Sequence, residues 1–227
     1  MKQELSISKL VKKVVDNHPT ISDCLKNKLL NYTSTAKLIK PEIEKITGSE
    51  VSLESVKMAL IRYSDEVSKD RSLHDEKIRK VIAETTLQLR NEVIVLTIRW
   101  ETFVTKFDKI LNVIKNSRFF QITQGIDTFS MVLEKKNLFS LMKVISKEEI
   151  IDIIEDQSAI VLQSPKEIIT TPGVISFITN LFFKNGINLT QVISCYLDTI
   201  FIVNSKDALI GYQLLEETVN LIRRKYK

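Results

Sequence analysis

Residues Ile169–Asn188 read I-T-T-P-G-V-I-S-F-I-T-N-L-F-F-K-N-G-I-N, and this stretch decides the fold. Pro172-Gly173 break the backbone just ahead of apolar residues at helical spacing, Val174, Phe177, Ile178, Leu181 and Phe182. Asn185-Gly186 stop that pattern immediately before an alternating, strand-like run. The pattern predicts strand, tight loop, helix, glycine stop and strand. Such a loop leaves the first N–H groups of the helix without intrahelical partners, at the positive end of the macrodipole. A carboxylate or other small anion can sit there without a cationic side chain. The alternative is that Pro and Gly only shape a strand-to-helix turn.

The same order occurs a second time, earlier in the chain. Asn91–Ile98 is a near-continuous apolar run, Glu101–Ile114 is amphipathic through Val104, Phe107, Ile110 and Leu111, and Arg118–Thr123 and Thr128–Leu133 are strand-like around Gly125. Lys115–Phe120 stands opposite Lys184–Leu189, and Asp127-Thr128 opposite Asp198-Thr199, at a spacing of about 70 residues. Arg99–Phe103 occupies the place of Thr170–Val174, so the first copy lacks the Pro-Gly loop and its Trp100 reads as a core or interface residue. Between the copies, Ser146 and Glu149 have the spacing of a capping box and predict a helix over Lys147–Asp156, with Ile150, Ile151, Ile153 and Ile154 inward. The last helix is expected from about Asp207 to Arg224, with Leu209, Leu214, Leu215, Val219 and Ile222 inward.

The T-P-G-V loop, the apolar helix, N-G-I-N and the strand Asp198–Val203 together resemble an ACT domain, the regulatory amino-acid-sensing module of aspartokinases and phosphoglycerate dehydrogenases, over roughly Ser158–Arg224. The resemblance implies that Thr170, Thr171, Gly173 and Val174 line a ligand loop whose backbone N–H groups receive an α-carboxylate. It also implies that Asn188 contacts the ligand, as an asparagine does in serine-sensing members. Thr190 stands where aspartokinases commonly carry an Asp for the amine, a departure from lysine- or threonine-type recognition. ACT ligands are often held between two subunits, so the resemblance implies a homodimer.

The N-terminal region is helical throughout. Ile7, Leu10, Val11, Val14 and Val15 recur at helical spacing, and His18-Pro19 stops that run. Thr20 is the expected N-cap of a second helix through Ile21, Leu25, Leu29 and Leu30. A third helix is expected from Thr33 or Ser34 to Ile46, ending at Gly48 and kinked or divided at Pro41. Ser52 caps a fourth, with Leu53, Val56, Ala59, Leu60 and Tyr63 buried. His74–Leu89 reads as a connector helix, and His74 as a surface histidine. Short helices on tight connections fit a helix-turn-helix-like domain. Asn31–Ile39 followed by Val51–Tyr63 resembles the N-terminal region of archaeal predicted regulators of amino-acid metabolism, which carry an ACT region. Lys37, Lys40, Lys57 and Arg62 are the candidate phosphate contacts if the domain meets DNA; the alternative is a solvated, protein-facing surface.

Totals bound the function. Of the 33 Lys and Arg and 28 Asp and Glu, residues 1–80 hold 16 and 12, so nearly all of the +5 net charge is N-terminal. Cys24 and Cys195 lie far apart and read as small buried thiols, which argues against a disulfide framework or a thiolate metal site. No nucleophile–base pair, metal-ligand cluster or phosphate loop emerges, so neither catalysis nor a cofactor is expected. The charged N-terminal segment and the lack of a long apolar run lead to the expectation of a cytoplasmic protein without membrane spans.

The expected architecture is α+β: a small all-α, helix-turn-helix-like domain over 1–72, a connector over 73–90, and two ferredoxin-like βαββα ACT domains over 91–157 and 158–227. The expected function is an amino-acid-responsive regulator that binds its ligand at the second ACT domain and signals to the helical domain, with DNA or a partner enzyme as its target. The alternative is a structural protein whose ACT pair mediates oligomerisation.

Overall fold

The computed structural model describes residues 6–225, and the side chains of 68–74 lie outside the description, including that of His74. Two compact units meet between Lys77 and Ile78.

The first unit contains α1 (Ile7–Asp16), α2 (Pro19–Lys26), α3 (Tyr32–Thr47) and the first part of α4 (Leu53–Glu84). Pro19 occupies the first helical position of α2, where its missing N–H costs nothing, and Thr20 lies inside the helix rather than capping it. Asn31 caps α3, its side chain accepting the Ser34 N–H at 3.1 Å, and Gly48 ends it in the left-handed region at φ 71°. Pro41 sits within α3, which runs through it as one helix. The Ser52 hydroxyl accepts the Ser55 N–H at 3.1 Å and starts α4. Leu10, Leu25, Ile39, Ile43 and Leu60 are fully buried in this unit's core. Tyr63 donates to Asp16 at 2.6 Å; burial, and then this carboxylate, push its phenol above the ordinary tyrosine value.

The second unit contains the end of α4, then β1 (Thr86–Arg99), α5 (Trp100–Ile114), β2 (Phe120–Gln124), β3 (Thr128–Glu134), the single-turn α6 (Leu138–Leu141), β4 (Ile150–Gln163), α7 (Val174–Lys184), β5 (Leu189–Cys195), β6 (Asp198–Asn204) and α8 (Ser205–Arg224). All strand pairs are antiparallel, and one six-stranded sheet runs β2-β3-β1-β4-β6-β5. The two βαββ copies thus share a single sheet, joined where β1 meets β4.

Two helical expectations are corrected. The connector does not reach Leu89, because Thr86–Arg90 pair with Ala159–Gln163 as strand, and α4 runs unbroken from the fourth predicted helix to Glu84. The helix expected over Lys147–Asp156 is a single 3₁₀ turn, Lys147–Glu149, followed by β4. The box is real in that the Glu149 carboxylate accepts the Ser146 N–H at 2.7 Å. The isoleucines beyond it pair Leu96↔Ile153 and Val95↔Ile154, and β-branched residues gain more on a half-covered pleated surface than in an isolated helix.

Strands β1 and β4 are both 14 residues long and share the burial sequence of their last seven positions, Val93–Arg99 and Gln157–Gln163. Each carries a bulge with a residue in the left-handed region, Glu92 at φ 55° and Asp156 at φ 53°. One face of the sheet is covered by helices. Ile94, Leu96 and Ile98 pack with Phe103 and Ile110 of α5, while Ile160, Leu162, Phe201 and Val203 pack with Ile178 and Phe182 of α7, Leu215 of α8, and Val81 and Ile82 of α4. Each such side chain contributes about 1.5–3 kcal/mol on burial. On the opposite face Val93, Val95, Val132, Ala159, Ile193, Ile200 and Ile202 form a further buried cluster with Phe119. The sheet rolls over this cluster, so that the two edge strands approach and Gln191 Nε2 of β5 donates to Thr123 Oγ1 of β2 at 3.1 Å.

Candidate functional site

The ligand loop expected from the sequence is a ten-residue connection, Ser164–Gly173, between β4 and α7. In the first copy β1 passes into α5 with no intervening residue, Arg99 to Trp100. The loop is anchored at its start: Ser164 N–H donates to Leu197 O at 2.9 Å, and its buried hydroxyl lies 3.0 Å from that of Thr85. A 3₁₀ turn, Lys166–Ile169, follows. Thr170 ends that turn, exposed, with its hydroxyl directed at Glu167 O (3.4 Å), and Thr171 is half-buried. Gly173 takes φ 93°, a conformation that disfavours any residue with a Cβ, and caps α7 without a side-chain bond. Its carbonyl accepts the Phe177 N–H at 2.8 Å, the first intrahelical bond. The N–H groups of Val174, Ile175 and Ser176 precede that bond, as at any helix start. The Val174 side chain is 1% exposed in the core, so only its backbone is available to a ligand.

The other two expected ligand residues are elsewhere on the sheet. Leu189 pairs with Val203 at one end of β6, whereas the loop leaves β4 at Gln163, which pairs with Asp198 at the other end. Asn188 and Thr190 therefore lie at the opposite end of these strands from Thr170–Val174. Asn188 is exposed, and Thr190 donates to Gln157 Oε1 at 2.7 Å.

In the helical unit, two of the four candidate phosphate contacts are paired with carboxylates on their own helix. Lys40 reaches Glu44 at 2.7 Å, and Lys57 reaches Glu54 at 3.3 Å. The hydrogen bond from Lys40, and then that from the Val51 N–H, hold the Glu44 carboxyl below its ordinary value. Lys37 and Arg62 are exposed, and Arg62 borders a cleft of ≈ 420 Å³ with Ser6, Glu54 and Met58.

Some residues lie outside what periodicity suggested. On α5, Phe103, Ile110 and Ile114 face the core, while Trp100 (41% exposed), Val104 (50%), Phe107 (44%) and Leu111 (39%) form an outward apolar stripe. The sequence reading put Val104, Phe107 and Leu111 inward; apolar residues on both sides of the helix hid the second face. Cys195 is exposed rather than buried. Among the described residues, no group of three or more His, Cys, Asp or Glu could hold a metal ion, and no helix is long and apolar enough to cross a membrane.

No family model matches the sequence, and no curated protein matches it. Among solved structures the chain is similar to aspartate kinase of Clostridium acetobutylicum, at 17% identity and a TM-score of 0.46, over 59% of this chain and 34% of that one. It is also similar to the ligand-free regulatory subunit of aspartate kinase from Thermus thermophilus, at 12% identity and a TM-score of 0.48, over 58% and 95%. A third is aspartokinase III of E. coli in complex with aspartate and ADP, at 14% identity and a TM-score of 0.48, over 59% and 33%. The match spans about a third of the length of the first and third of these.

Proposed function

We propose that this chain is a non-catalytic, cytoplasmic regulator that binds a small amino acid at the Thr170–Val174 loop of the second of two ACT-like repeats. The repeats, which begin with β1 at Thr86, follow the N-terminal helical unit, and that unit receives the signal. The observation that carries this reading is the Ser164–Gly173 connection, ten residues present in one copy only, which sets a left-handed glycine ahead of the free N–H groups of α7. A ligand there changes the state of the helical unit only through different affinities for two arrangements of the protein. With Lys40 and Lys57 already paired, a protein surface is the better supported partner for that unit than duplex DNA.

A thermal-shift series with the twenty amino acids at millimolar concentration tests this. At least one should raise the midpoint, since a ligand that binds the native state stabilises it. Gly173→Asn, which tolerates positive φ but places a side chain at the helix start, should abolish that shift. No shift with any amino acid would sink the ligand reading.

A homodimer is supported by the stripe on α5. In an antiparallel pair of α5 helices, Trp100 meets Leu111 and Val104 meets Phe107, so the apolar positions match. Phe107→Glu should convert the dimer to a monomer in light scattering. A monomeric wild-type protein at tens of micromolar would remove this part of the reading.

A further inference from the structure

The Ser164–Gly173 loop meets one helix, α4, along its whole course. At its start, the Thr85 hydroxyl donates to Val81 O at 2.8 Å, which leaves the Ser164 hydroxyl, 3.0 Å away, as the donor to Thr85. Both side chains are buried. Midway, Ile168 packs against the core cluster that Ile78, Val81, Ile82 and Ala83 of α4 also join. At its end, a Cβ on Gly173 would stand 2.9 Å from Ile78 Cδ1, closer than two carbon atoms approach unless one moves. The last turn of α4 is held in addition by α8, whose Arg223 donates to Ala83 O and Thr85 O.

Register explains the proximity. Thr86, the first residue of β1, pairs with Gln163, the last of β4, so the helix that ends before β1 arrives beside the loop that leaves β4. At the equivalent place in the first half, Ile150 pairs with Ile98 next to the start of α5. There the 3₁₀ turn Lys147–Glu149 stands in place of a helix, and β1 passes into α5 without a loop. Among the described residues, loop and helix occur together in one copy, and neither occurs in the other.

We propose that α4 is the output of the loop: its last two turns take up a displacement of Ser164–Gly173 and carry it along the helix into the first unit. The inference rests on the loop being where a signal starts, and it names the element that receives that signal. The start, middle and end of the loop all bear on α4 between Ile78 and Thr85, so a shift of the loop moves α4 or breaks a buried hydroxyl pair. The boundary between the two units falls inside α4, and the same helix places Val56, Ala59, Leu60 and Tyr63 in the core of the first unit. Whatever passes along the chain from loop to helical unit passes through it. Each turn of a helix is hydrogen-bonded to the next, so a displaced end moves its neighbours. Gly173 is the sensitive point, because both its φ of 93° and its contact with Ile78 require the missing Cβ.

Hydrogen exchange on the full chain tests this without a ligand, so the relay and the amino-acid reading can fail separately. Gly173→Asn, which pushes a side chain against Ile78, should speed exchange of the α4 amides over 78–84 at least tenfold and over 56–67 at least twofold, with α5 amides unchanged. Ile78→Ala in the same chain should return both stretches toward wild-type rates, since the two positions couple through one contact. Unchanged α4 rates, an equal acceleration in α5, or no rescue by Ile78→Ala would overturn the proposal. Acceleration confined to 78–84 would stop the signal at the unit boundary and overturn it as well. Should Gly173→Asn fail to fold, Ser164→Ala, which removes the donor to Thr85, takes its place: faster exchange across α4 supports the relay, and wild-type rates refute it. Should no amino acid raise the midpoint while the exchange results hold, the ligand reading falls and the link from loop to α4 stands.

Discussion

The two halves of the sheet begin as the same object and end as different ones. β1 and β4 match in length, bulge and burial, and β2-β3 and β5-β6 follow at 69 and 70 residues' spacing, from Phe120 to Leu189 and from Thr128 to Asp198. The halves differ in their connections and their cover. The second has the loop Ser164–Gly173 and is roofed by α8 and the end of α4. The first has no loop, a single-turn α6 in place of α8, and an α5 that shows an apolar stripe to solvent. A duplicated frame holds its strand pairing because register is set by burial on both faces, whereas connections and outer helices are free to diverge.

The largest test of that contrast is Phe182→Ala. The ring is fully buried between α7, α8 and β6, and its loss should cost about 3–5 kcal/mol in urea unfolding. Phe103→Ala in the first half should cost less, because that ring is 8% exposed and already leans on the half-exposed Phe107. Equal losses would mean that α8 adds no cover. Next comes Arg223→Ala. This side chain donates from α8 to Ala83 O at 2.6 Å and Thr85 O at 2.7 Å, and removing a charged donor from two carbonyls at the end of α4 should cost about 1.5–3 kcal/mol. An unchanged midpoint would show that α8 holds α4 by apolar contact alone. Gly173→Ala should cost about 1–2 kcal/mol through its positive φ. Arg99→Ala, at the equivalent joint of the first half, should be near neutral, since Arg99 is extended at φ −66°. The smallest effect lies outside the repeat. Glu44 has a lowered carboxyl pKa, so its contribution is present above the usual carboxylate range and is lost as pH falls through the folded value. Glu44→Gln should flatten the acid side of the stability profile of the helical unit, and an unaltered profile would show the Lys40 pair to be inert.

Much of this frame was legible in the residues. Pro172-Gly173 and Asn185-Gly186 bound α7 where expected, Gly48 ends α3, and the Asp127-Thr128 and Asp198-Thr199 correspondence gives the β3–β6 spacing to within one residue. The misreadings share a cause. Ile150, Ile151, Ile153 and Ile154 follow a capping box at helical intervals, and only their pairing with a strand 64 residues earlier, β1 from Thr86 against β4 from Ile150, makes them strand. Thr86–Arg90 were absorbed into a connector helix for the same reason. Asn188 and Thr190 follow α7 closely in sequence, yet α7 carries them back along the sheet to the far end of β6.

The approach of β2 to β5 bears on solubility. An open sheet presents two rows of unpaired backbone groups that can recruit strands from other molecules, and long exposed edges are where aggregation starts. Here the edges turn toward one another around Phe119 and Ile193, with Gln191 reaching Thr123. Their approach narrows the flank open to a partner strand, which disfavours growth by strand addition. A lesion that unrolls the sheet, such as an alanine at Phe119, would be expected to show first as precipitation on storage rather than as a lower melting temperature.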